Sequence, residues 1–90
     1  MFSIELQGIG KVFKKETSDV QKTFTEIAEE LKKDIYVGGT EIILREGSIE
    51  ARISLSPKRI FLFKHNEDTR KFTEDYLMSQ LNQLKSLVTA

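Results

Sequence analysis

The stretch TEIILREGSIEARISLSPKRIFLFK, Thr40–Lys64, decides the fold. Over most of it apolar and polar residues alternate, the two-residue period of strands that bury one face. Glu46-Gly47 reads as a hairpin turn, because glycine accepts the positive φ such turns demand. That turn pairs Leu44 with Ile49 and Ile42 with Ala51 on one face. On the other face it pairs Ile43 with Glu50 and Glu41 with Arg52. Pro57-Lys58 reads as a second turn, since proline is pre-set for the first central position. It pairs Leu55 with Ile60 and Ile53 with Leu62, and leaves Phe61 and Phe63 beside Ile43 and Arg52. The expectation is a run of antiparallel strands with apolar groups on both faces.

Working outward, Phe2, Ile4 and Leu6 alternate with Ser3, Glu5 and Gln7, which predicts a further strand ended by Gly8 and Gly10. Val12 and Phe13 either start another short strand or anchor the loop. Thr17 or Ser18 caps a helix, and Asp19 suits its positive end. Val20, Phe24, Ile27, Ala28 and Leu31 form its apolar stripe, and Gly38-Gly39 marks the loop after it. A last helix starts at Asn66–Asp68 and runs to about Val88, longer than the sheet beneath it. The predicted class is α+β: a three- to five-stranded antiparallel sheet with two amphipathic helices, in the order β-α-β-β-β-α, as one domain over 1–90.

Ninety residues suffice for one modest core. The absence of cysteine excludes disulfides and thiolate chemistry. The start of the chain lacks a basic region followed by an apolar run, and no apolar stretch approaches the length of a bilayer span. A complete, soluble, cytoplasmic chain with no membrane association is the expectation. Fourteen basic and fourteen acidic residues balance overall. Residues 16–50 are acidic, with nine acids against four bases, whereas 51–71 are basic, with six against two. A dedicated nucleic-acid binder carries a basic excess over the whole chain, which this sequence lacks.

Catalytic signatures are missing. His65 is the only histidine and reads as an exposed loop residue. Glu29/Lys33, Glu67/Lys71, Arg70/Glu74 and Lys71/Asp75 have the i, i+4 spacing of solvated helix pairs. Glu26 and Glu30 with Asp34 read as surface charge rather than as a metal site. Gly8-Ile9-Gly10-Lys11 lacks the spacing of a phosphate-binding loop. The order helix, three strands, helix is shared with double-stranded-RNA-binding domains. Where those carry a glycine-rich, paired-lysine segment, this chain reads Asn66-Glu67-Asp68-Thr69, so the likeness stops at element order. No enzyme activity, cofactor or metal is expected.

Two surfaces are candidates. Leu77, Leu81, Leu84 and Val88, with Tyr76 and Leu87 alongside, make a coiled-coil-like stripe that predicts an interface with a second copy or another protein. Phe61 and Phe63 near Ile43, Arg52, Lys58 and Arg59 suggest an alternative, an aromatic platform for nucleic acid. The function expected is that of a small non-enzymatic, homodimeric interaction or regulatory domain, such as a bacterial or phage accessory factor or inhibitor.

Overall fold

The structure is a computed structural model that describes residues 1–8, 11–32 and 40–89. Its elements are β1 (Phe2–Gly8), β2 (Lys11–Thr17), α1 (Val20–Glu30), β3 (Thr40–Glu46), β4 (Ile49–Leu55), α2 (Pro57–His65) and α3 (Glu67–Thr89). The class is α+β, as the sequence predicts, and the order is β-β-α-β-β-α-α. All strand pairs are antiparallel, and the sheet order is β2-β1-β3-β4. The loop expected at Gly38-Gly39, the Ile9-Gly10 part of the first turn, Lys33 and Asp34 lie outside the described residues.

The sheet is made differently from the expectation. Residues 57–65 are helical, so Leu55 does not pair with Ile60, nor Ile53 with Leu62. The cause is local. Ser56 is extended, its Oγ accepts the Arg59 N–H at 3.3 Å, and Pro57 takes the first helical position, where its missing N–H costs nothing. A serine–proline pair that resembles a turn is here a helix cap. Ile60 and Phe63, three residues apart, are buried together, and the Phe63 ring lies 6.2 Å from that of Phe24. Phe61 points away and is 60% exposed.

The strand this removes is replaced by β2. Val12 and Phe13 belong to a full strand that pairs along the whole of β1. In the β3–β4 hairpin the turn falls on Gly47-Ser48 rather than Glu46-Gly47. Of these two residues Gly47 alone has positive φ, at 64°, the pattern of a type II′ turn with glycine first. Leu44 therefore pairs with Ala51, Ile43 with Arg52 and Ile42 with Ile53. This is a shift of two residues, and because the side-chain period is two, every residue keeps its expected face.

Ile4, Leu6, Ile42, Leu44, Ala51 and Leu55 share one face of the sheet, and all three helices cover it. Val20, Phe24, Ile27, Ala28 and Leu31 enter this core as expected, together with Ile60, Phe63, Leu77 and Leu81. Asp19, rather than Thr17 or Ser18, caps α1: its carboxylate accepts the Lys22 N–H at 3.1 Å. Asn66 ends α2 and starts α3. Its N–H donates to the Leu62 carbonyl, and its Oδ1 accepts from the Asp68 and Thr69 N–H groups. Arg70 does not reach out to Glu74 as its i, i+4 spacing suggested. It donates to the Phe63 and Lys64 carbonyls at 3.3 and 3.1 Å and so closes the end of α2.

Two substitution sets check this architecture by denaturant unfolding. Phe63→Ala is expected to cost about 3–5 kcal/mol as a core truncation, whereas Phe61→Ala should stay within about 0.5 kcal/mol. Equal costs would contradict the helical placement of residues 57–65. A Cβ on Gly47 would meet nothing within 4 Å. Gly47→Ala should therefore lose about 1–2 kcal/mol from backbone strain alone, and no loss would contradict the type II′ turn.

Candidate protein interface

The face of the sheet away from the helices carries three rows of side chains. Across β2, β1, β3 and β4 they read Glu16–Ser3–Arg45–Glu50, Lys14–Glu5–Ile43–Arg52 and Val12–Gln7–Glu41–Ser54. Ile43 is the apolar residue at the centre. It is fully buried although it stands outside the core cluster, with Glu5 on one side and Arg52 on the other. Long charged side chains bury apolar surface under their stems while keeping their heads wet.

Those heads form a chain. Arg45 donates through Nη1 to Glu5 at 2.7 Å and through Nε to Glu50 at 2.9 Å. Arg52 donates through Nη2 to the other Glu50 oxygen at 2.9 Å and through Nη1 to Glu41 at 3.3 Å. Glu5 is the deepest member, about one-tenth exposed. Its hydrogen bond to Arg45 holds its carboxyl below the ordinary carboxylate range, against the upward pull of burial.

The second surface runs along β4, an edge strand. α3 lies over β4 and, more lightly, over β3. One groove between α3 and β4 is lined by Ile53, Ser54, Arg59, Phe72 and Tyr76, and the next by Glu50, Ala51, Arg52, Gln80, Gln83, Leu84 and Leu87. Phe72 and Leu87 are 59% and 75% exposed, Tyr76 and Leu84 are exposed too, and the Phe72 and Tyr76 rings stack 6.4 Å apart. Ile49 and Ile53 of β4 are only partly covered.

The predicted interface residues thus divide. Tyr76, Leu84 and Leu87 face outward beside β4, whereas Leu77 and Leu81 are fully buried in the core and offer nothing to a partner. The side chain of Val88 lies outside the described residues. The other predicted group is dispersed. Ile43 and Arg52 lie on the open sheet face, while Lys58, Arg59, Phe61 and Phe63 belong to α2, under which Phe63 is buried. The expected pair of phenylalanines on the sheet does not exist, because the second turn is a helix start. His65 is exposed at the end of α2, its ring 4.7 Å from Phe61.

Phe72, Ile49, Ile53, Gln80 and Gln83 complete the surface. The signal for Phe72 was present in its spacing of four residues from Tyr76. The two isoleucines carried no such mark, because whether a strand stands at an edge is a property of the assembled sheet.

The ion-pair chain predicts a pH effect. A carboxyl with a lower pKa in the fold than in the unfolded chain stabilises the fold above its unfolded pKa, and this contribution is lost as pH falls through the folded value. Glu5→Gln should cost about 1–2 kcal/mol near neutral pH, and its melting temperature should converge on that of the parent as pH falls below the ordinary carboxylate range. Glu74, shifted upward by partial burial and then by Asp75 and Asp19, contributes with the opposite sign and is common to both proteins. A gap that persists unchanged into acid would contradict the role given to Glu5.

No described helix is long and apolar enough to cross a membrane. Compared with known proteins, the chain matches no family model, no curated protein and no solved structure.

Proposed function

We propose that this chain is a non-enzymatic interaction domain that works as a homodimer, with the outward flank of α3 and the adjoining β4 edge as its interface. The observation that carries the reading is the run of exposed apolar side chains, Phe72, Tyr76, Leu84 and Leu87, along the helix beside an edge strand. Exposed apolar side chains gathered on one flank in this way support a binding site on a small protein. The partly covered Ile49 and Ile53 widen the same patch. A regulatory or accessory role in the cytoplasm, acting on another protein once dimeric, fits a domain of this kind.

The nucleic-acid alternative loses its main support. The open sheet face carries acids and bases alternately instead of a basic field with stacked aromatics, and Phe63 is inaccessible.

Light scattering behind size exclusion tests the reading. The parent chain should have twice the monomer mass at micromolar concentration. Leu87→Glu places two charges in the interface and should weaken association by about a hundredfold or more. Because Leu87 is exposed in the monomer, its circular dichroism and unfolding midpoint should hardly change. A parent chain that stays monomeric at high micromolar concentration would overturn the proposal, as would a dimer indifferent to Leu87→Glu.

A further inference from the structure

We propose that the two copies join their sheets through β4, antiparallel about a twofold axis at Ala51, to give one continuous eight-stranded sheet with α3 packed against the partner subunit's α3. This rests on the homodimeric reading above and fixes its geometry.

The two sheet edges are not equivalent. β2 carries Lys11, Lys14 and Lys15 among its seven residues, and lysine-rich edges discourage strand addition. β4 has no lysine, no proline and no irregularity in its pairing with β3. Its backbone is also poised to pair. Glu46 and Ile49 close the hairpin turn, so Ile49, Ala51 and Ile53 direct their N–H and C=O groups toward β3. By alternation Glu50, Arg52 and Ser54 direct theirs outward. No strand among the described residues takes them up.

Side chains select the register. Keeping both helix layers on one side of the joined sheet requires residues of the same facing to stand opposite each other. An axis at Glu50 would set Glu50 against the partner subunit's Glu50, and an axis at Arg52 would set two arginines together. The intervening axis at Ala51 sets Glu50 against the partner subunit's Arg52, twice, and Ile49 against the partner subunit's Ile53, twice. It places the smallest β4 side chain at the axis. The ion-pair chain of the open face, which reaches β4 at Glu50, would pass directly into the second copy.

The helix stripe points to the same axis independently. Phe72, Tyr76, Leu84 and Leu87 are arranged nearly symmetrically about Gln80. Antiparallel α3 helices crossing there put Phe72 against the partner subunit's Leu87 and Tyr76 against its Leu84. Gln80 and Ala51 line one groove, so the axis derived from the strand and the axis derived from the helix coincide. The lengths are similar as well: from Phe72 to Leu87 is about 22 Å of helix, and from Ile49 to Leu55 is about 20 Å of strand. Strands about 4.8 Å apart put the axis about 2.4 Å from β4, and helices about 8–10 Å apart put it 4–5 Å from α3. A helix over β4 that also reaches β3 is compatible with both distances, and α3 packs on both strands, more heavily on β4.

Charge reversal tests the register. Glu50→Arg alone, or Arg52→Glu alone, sets like charges opposite each other at both crossings and should weaken self-association at least about tenfold at low ionic strength. Mixing the two variants in equal amounts should restore association as a heterodimer, resolved from either homodimer by native mass spectrometry. The double variant E50R/R52E should dimerise like the parent. Rescue on mixing also shows that each variant is folded. If the parent dimerises and Leu87→Glu disrupts it, but the single reversals do not weaken it or mixing does not rescue them, this register is wrong while the interface stands. A monomeric parent removes both.

Discussion

Ile4 and Leu6 of β1 stand directly opposite Leu44 and Ile42 of β3, and these four fully buried side chains fill one face of the two central strands. Everything else is arranged around that apolar floor. With every buried apolar residue of the strands except Ile43 on one face, all three helices lie on it. Phe24, Ile27 and Leu31 from α1, Ile60 and Phe63 from α2, and Leu77 and Leu81 from α3 meet over it. Among the described residues the other face receives no helix, and its own side chains must keep it wet. The Glu5–Arg45–Glu50–Arg52–Glu41 chain does this, and it shelters Ile43 at the same time.

How far the sequence discloses this arrangement depends on how local each signal is. The period of two in Phe2–Leu6 and Thr40–Leu55 and the stripe from Val20 to Leu31 are local, and they appear in the fold as read. The face of each β3 and β4 residue survives even a misplaced turn, because the shift is an even number of residues. Residues 57–65 are different. Ile60-Phe61-Leu62-Phe63 suits a strand by composition, but Ser56 and Pro57 supply both a cap and a pre-formed first turn, and these prevail. β2 was hard to see for a related reason. It is an edge strand, and only Phe13 of its helix-facing residues is strongly apolar, while Lys15 on that face pairs with Glu26 of α1.

The stripe on α3 shows a second kind of limit. Leu77, Leu81, Leu84 and Leu87 look alike as a pattern, and spacing alone places them on one broad apolar side. Which of them are covered depends on which side of the helix the assembled sheet and the other helices occupy. The core takes Leu77 and Leu81, and Leu84 and Leu87 are left beside the edge. An interface of this kind is a remainder after folding, and a remainder becomes legible only when the fold is known.

The charged chain on the open face has one more consequence. Its exposed links add little to equilibrium stability, but they weigh heavily against misaligned chains. Were β1 to slide one residue along β3 during collapse, Glu5 and Ser3 would be driven under the helices and Ile4 and Leu6 turned out to water. Burying an unpartnered carboxylate costs far more than any single link yields. The exposed links of this face, which do little to hold the finished molecule together, therefore belong to a pattern that weighs against its misregistered near-copies.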